Sequence, residues 1–132
     1  MLSDAQKQQY KDQGFVAPVD IFTDTEITLI RAEIEQAEEK WHDELADAGR
    51  NNAHYVLPVL DAITHDSRIL DAVESLIGKD ILVCGTTLFI KPPHTEGFVS
   101  WHQDARYIGL EPHNWVTAWL AIDDVDEHNG CM

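Results

Sequence analysis

Ile81-Leu82-Val83-Cys84-Gly85-Thr86-Thr87-Leu88-Phe89-Ile90 is the stretch at which the chain changes character. β-Branched and aromatic side chains fall on both of its faces, the composition of a buried strand. Before it, apolar residues recur at steps of three and four. After it, Phe98-Val99-Ser100-Trp101-His102-Gln103-Asp104 and Trp115-Val116-Thr117-Ala118-Trp119-Leu120-Ala121-Ile122 read as further strands, with the turn residues Gly109, Pro112 and Asn114 between them. Helices first and strands afterwards predict an α+β chain, its helices packed on a sheet. Three or four strands are too few to close a barrel or to complete a two-sheet jelly roll. The last residues, Asn129-Gly130-Cys131-Met132, make a turn with no strand behind it. Residues 1–132 therefore read as a single domain whose sheet is expected to continue beyond them.

Working back from Ile81, the helices announce themselves by their ends. Ser3 with Gln6 is a capping box for a short first helix that Gly14 should stop, and Phe15-Val16-Ala17-Pro18-Val19 reads as an extended piece entering the core. Thr23 with Glu26 is a second capping box. Behind it, Ile27, Ile30, Ile34, Ala37, Trp41 and Leu45 form one apolar stripe on a long helix closing near Gly49. The acidic residues Glu26, Glu33, Glu35, Glu38 and Glu39 mostly lie off that stripe, as a solvated face. Arg50-Asn51-Asn52-Ala53-His54 reads as a loop. A third helix starting at Asp66 or Ser67 should bury Ile69, Leu70, Val73, Leu76 and Ile77 before Gly78.

Composition narrows the partners. A net charge of −15 argues against nucleic acid and against an anionic membrane surface. No apolar run approaches the length of a membrane span, and the N-terminus lacks a basic, apolar signal segment. Two cysteines, Cys84 and Cys131, are far apart and outside any metal-type spacing, so a reduced, cytoplasmic compartment is the expectation.

The chemistry concentrates at His102 and Asp104. Side chains two apart on a strand share a face, so these two project together while Trp101 and Gln103 turn the other way. An imidazole and a carboxylate side by side are two of the three ligands of the facial triad of non-haem Fe(II) oxygenases. Taken alone, a His-x-Asp also fits a strand whose polar face meets water.

The neighbours of that pair carry a resemblance. Phe98 through Leu110, then Val116-Thr117-Ala118-Trp119, then Asn129-Gly130-Cys131-Met132, resemble the phytanoyl-CoA dioxygenase family. Upstream, Tyr10, Gly14-Phe15-Val16, the long acidic helix, Gly78 and Phe89-Ile90-Lys91-Pro92 are similar to the same family. The resemblance implies an Fe(II)- and 2-oxoglutarate-dependent oxygenase using O₂, with N-terminal helices packed on an incomplete double-stranded β-helix, a cupin-like jelly roll. It makes His102 and Asp104 the first two iron ligands, Trp119 an aromatic wall of the 2-oxoglutarate pocket and Thr87 a contact of the same cosubstrate. His54 falls at a position facing the substrate. Read as residues alone, Trp119 and Thr87 serve equally as packing, and His54 as a satisfied loop histidine.

The resemblance further implies a second histidine as third ligand and a basic residue for the distal carboxylate of 2-oxoglutarate, both expected beyond Met132. Relatives that halogenate carry a small residue in place of the carboxylate, so Asp104 implies hydroxylation of an unactivated C–H bond in a small organic substrate. The chain alone is then expected to be inactive or incomplete, and to self-associate through an exposed sheet edge. Two other classes stay open: a cupin-like module binding a different metal or ligand, and a non-catalytic fragment.

Overall fold

The computed structural model of the chain describes residues 1–46, 50–96, 98–129 and 131. Its three longest helices begin where side chains satisfy the free N–H groups of a first turn. Ser3 and Gln6 make a reciprocal capping box at α1 (Asp4–Gln13), and Gly14, at φ 80°, ends it. Thr23 and Glu26 repeat the device at α2 (Asp24–Lys40). A 3-10 turn (Ala53–Tyr55), which takes in the last two residues of the stretch read as a loop, then leads into α3 (Pro58–Thr64), a helix that sequence reading did not place. Pro58 stands at the first helical turn, where its fixed φ is already helical and its missing N–H would be unpaired anyway. Asp66 caps α4 (Ser67–Ile77), accepting from the Arg68 N–H at 2.9 Å. A single turn, α5 (Ala105–Ile108), follows in the second half.

α2 stops one residue before Trp41, earlier than its stripe predicts. Trp41 caps it, its N–H bonded to the Ala37 carbonyl at 2.9 Å, and the indole is exposed with Lys40 Nζ 4.5 Å over its ring. His42-Asp43-Glu44 offers nothing apolar, so another helical turn would bury nothing. A tight turn, Leu45 N–H to the Trp41 carbonyl at 2.9 Å, returns Leu45 to the core instead. The expected closure at Gly49 lies outside the described residues.

The core is the seam between α2 and α3. Ile34, Ala37, Leu45, Ala53, Leu57 and Leu60 are buried there, with Ile30, Val59 and Ile63 packed against them. α4 presents Ile69, Leu70, Val73, Leu76 and Ile77 only half-buried, less than its sequence predicts. Phe15 is exposed, so residues 15–19 lie along the surface. Among the described residues, the second half reaches the helical core at two places. Asn52 N–H donates to the Thr86 carbonyl at 2.7 Å and Leu88 N–H to the Arg50 carbonyl at 3.0 Å, around an antiparallel bridge of Asn51 with Thr87. Leu88 thereby reaches the core. Ile122 reaches it as well, beside an ion pair of Arg31 with Asp123.

The three stretches read as strands carry no further bridge among the described residues. Strand composition states a preference for pairing; the ladder itself needs a partner's N–H and C=O groups. Burial of the first stretch is one-sided accordingly: Thr86, Leu88 and Ile90 are half-buried, while Thr87 and Phe89 face outward. The surface totals 10341 Å², against about 7000 Å² for a compact monomer of this mass. Among the described residues no helix is long and apolar enough to cross a membrane.

Leu57 and Phe98 separate core from surface. Leu57→Ala should cost about 2–5 kcal/mol in urea unfolding followed by circular dichroism. Phe98→Ala, at a side chain 82% exposed, should stay within about 0.5 kcal/mol. Equal losses would place the core elsewhere.

Candidate metal centre

Residues 98–104 approach the site as a non-helical segment that ends at Asp104, whose φ of −57° and ψ of −40° already belong to the turn of α5. Arg106 N–H bonds the Gln103 carbonyl at 3.1 Å and Tyr107 N–H the Asp104 carbonyl at 3.0 Å, fixing the backbone just past the motif. His102 and Asp104 meet: Nε2 stands 2.9 Å from Oδ1. Gln103 departs from them towards α1, its Nε2 3.8 Å from where a Cβ on Gly14 would lie.

The hydrogens follow from the partners. His102 Nδ1 is 2.7 Å from the Ser100 carbonyl, which can only accept, so Nδ1 carries a proton. Nε2 is then the free atom of a neutral ring. It binds a cation, or takes a proton and donates to Asp104. The Ser100 carbonyl raises the His102 pKa above its ordinary value, partial desolvation opposes it, and the Asp104 carboxylate adds to the rise. Tyr107 closes one side, its ring 6.0 Å from the imidazole and nearly edge-on. The other carboxylate oxygen, Oδ2, accepts from the Thr117 hydroxyl.

This donor set fits part of a divalent metal centre. Two ligands about 2.1 Å from one ion and at right angles stand about 3 Å apart, the separation found here. Nδ1–H on a backbone carbonyl is the outer contact that metal-bound histidines ordinarily make. Among the described residues no third His, Cys, Asp or Glu joins the pair.

The other expected residues gather elsewhere. Thr87 Oγ1 donates to Asn51 Oδ1 at 3.1 Å, next to the bridge. His54 is 7% exposed; its Nδ1 meets the hydroxyl of Thr86, not of Thr87, at 2.8 Å, and its ring lies 4.1 Å from that of Tyr55. Trp119 is half exposed, and among the described residues no hydrogen bond or ring contact joins it, Thr87 or His54 to His102 or Asp104. A hollow of about 400 Å³ lies on the helical half, lined by Glu33, Ala37, Trp41, Leu57 and Val59; it does not adjoin the His102–Asp104 pair. Sequence reading did not single out Ser100, Thr86 or Thr117 as site residues. Only Thr117 carried a signal, its shared parity with Trp119.

A histidine and a carboxylate paired in this way are chemically able to share a divalent cation, and comparison with known proteins gives the chain a family. The chain belongs to the phytanoyl-CoA dioxygenase (PhyH) family, whose model matches residues 10–132. It is 24% identical over 144 residues to a probable alpha-ketoglutarate-dependent hypophosphite dioxygenase of Stutzerimonas stutzeri, covering 96% of this chain and 50% of the relative. It is 27% identical over 155 residues to the peroxisomal phytanoyl-CoA dioxygenase of Bos taurus, covering all of this chain and 46% of that protein. Over 77 residues it is 40% identical to the phytanoyl-CoA dioxygenase domain-containing protein 1 of Rattus norvegicus, covering 57% of this chain and 26% of that one. The chain thus spans about half the length of the longest-matching of these relatives. No solved structure matches it.

His102 should titrate above the unperturbed value of about 6.5 when its ring protons are followed by NMR. Asp104→Asn should lower the midpoint without returning it fully, since the Ser100 contact is the larger cause. A pKa raised by folding gives stability that is complete below the unfolded value and is lost as pH rises through the folded one. Stability should therefore fall from about pH 6.5 upward, and less in His102→Gln. A wild-type midpoint at or below the unperturbed value would contradict the geometry.

Proposed function

We propose that this chain provides the first two iron ligands of an Fe(II)- and 2-oxoglutarate-dependent dioxygenase that hydroxylates an unactivated C–H bond of a small organic substrate. The observation that carries the reading is the 2.9 Å approach of His102 Nε2 to Asp104 Oδ1, within a motif of the family to which the chain belongs. The hypophosphite and peroxisomal phytanoyl-CoA relatives, both named dioxygenases, support the reaction class. In this reading the helices pack on a double-stranded β-helix, and a third ligand and a basic partner for 2-oxoglutarate complete the site.

Bound iron would supply the oxidation: O₂ and 2-oxoglutarate give succinate and CO₂ as the substrate C–H becomes C–OH. The chain's own residues prepare for it. Ser100 holds the His102 proton on Nδ1 and so leaves Nε2 for the metal. Asp104 binds as the carboxylate, through the oxygen that faces His102. In the complete site Trp119 would wall the cosubstrate pocket, Thr87 would contact the cosubstrate and His54 would face the substrate; Thr87 and His54 would first have to exchange their present partners, Asn51 and Thr86.

With two protein ligands, Fe(II) should bind weakly in anaerobic titration, and Asp104→Ala should abolish what binding there is. Tight binding that survives Asp104→Ala would move the site elsewhere. Binding of Mn²⁺ or Zn²⁺ with no 2-oxoglutarate-dependent O₂ uptake in a length-completed protein would replace the oxygenase with a cupin-like module.

The partner of the second half is, in the same reading, another β-edge. Leu82, Phe89, Phe98 and Trp101 are mostly exposed, and the total surface exceeds a compact monomer's by about 3300 Å². The 132-residue chain should sediment as dimers or larger species at tens of micromolar (about the range where such edges pair). A monodisperse monomer would rule this out.

A further inference from the structure

The indole of Trp115 donates Nε1–H to Thr117 Oγ1 at 3.1 Å, and Thr117 in turn contacts Asp104 Oδ2. An indole nitrogen can only donate, and an ionised carboxylate can only accept. The order of the three groups therefore fixes every proton: Thr117 receives one from Trp115 and gives its own to Asp104. We propose that Thr117, oriented by Trp115, is a positioning residue that holds Asp104 Oδ2 away from the metal and leaves Oδ1 as the single ligating oxygen. The proposal rests on the metal reading above and adds to it.

Three constraints then act on one carboxylate. Its backbone carbonyl is fixed by Tyr107 N–H, Oδ2 by Thr117, and Oδ1 is left facing His102 Nε2. A carboxylate free at Oδ2 swings about its terminal bond, a broad and two-fold rotation, and can chelate through both oxygens, taking a second coordination position. An oxygenase must keep positions open for cosubstrate and O₂, so a one-oxygen Asp104 serves the chemistry where a chelating one obstructs it. Residues 115–117 come from a different segment from the motif. Docking of that segment, through Ile122 and the Arg31–Asp123 pair, is then a condition for a well-formed ligand.

The test uses the full 132-residue chain with Mn²⁺ as a redox-stable probe, free ion being counted by electron paramagnetic resonance. Thr117→Val keeps the shape and removes the hydroxyl; it should weaken Mn²⁺ about 10-fold or more, the usual effect of losing an outer hydrogen bond. Thr117→Ser should restore affinity to near wild type, which a packing role would not do. Trp115→Phe, which keeps the ring and deletes the donor, should give an intermediate loss and carries the test if Thr117→Val misfolds by circular dichroism. Asp104→Ala separates the two ideas. If Asp104→Ala abolishes binding while Thr117→Val and Trp115→Phe leave it unchanged, or if Thr117→Ser fails to rescue, the positioning role is overturned and the metal site stands. If the wild type does not bind Mn²⁺, or Asp104→Ala binds as well as wild type, the metal reading falls and this proposal with it.

Discussion

Burial of the facing sides of α2 and α3 is the contact on which the rest of the molecule depends. Ile34 and Ala37 from one helix meet Leu57 and Leu60 from around the other, and the seam is closed by Leu45 and Ala53. At roughly 25 cal/mol per Å² of apolar area, the isoleucine and leucine side chains among these each contribute about 1.5–3 kcal/mol when fully buried. No surface ion pair approaches that. The seam also receives the second half, through Leu88 and Ile122. The His102–Asp104 pair is suspended along the chain between those two attachments.

That suspension explains why the candidate site is organised by hydrogen bonds more than by packing. Ser100, His102, Asp104, Thr117 and Trp115 form one run of donors and acceptors in which each group's partner leaves it a single role. Such a run is directional where apolar contact is not, so it can orient two ligand atoms on a part of the chain with little core. It is also more vulnerable to water and salt, since its members are largely solvent-accessible. Docking of residues 115–122 on α2 and the geometry of Asp104 are therefore coupled, through Thr117.

Local signals were legible in the sequence and non-local ones were not. Ser3 with Gln6, Thr23 with Glu26, and Asp66 act within one helical turn, and each stands where its residues place it. α3 escaped because seven residues cannot display a 3.6-residue period, although Pro58 at its start was a usable sign. The stripe of α2 was right in face and wrong in length: a helix end answers to what the next turn can bury, and His42-Asp43-Glu44 buries nothing. The meeting of His102 with Asp104 was expected from strand parity, but it is made at a turn, with Asp104 already in the backbone of α5. The hydroxyl of Thr117 was not, because its role depends on a fold-back of thirteen residues that no period records. Residues 81–90 state a β preference plainly, yet pairing is a property of two segments, and among the described residues only Asn51 bridges to them.

If His102 and Asp104 serve as ligands in the way proposed, their spacing has its own thermodynamic sense. Two ligands separated by one residue are brought together at almost no loop-closure cost, and Ser100 and Thr117 restrict them before any metal arrives. A third ligand from a distant segment must close a long loop, but that cost rises only as the logarithm of length, about 0.6 kcal/mol per doubling. Distance in sequence is therefore a weak penalty for the third ligand, whereas disorder in the first two would be a strong one. A preformed pair converts the arrival of the third into the step that both completes the coordination sphere and clamps the sheet that carries it. Metal binding and completion of the fold then become one equilibrium, and the short segment from Ser100 to Asp104 is the part that has to be right beforehand.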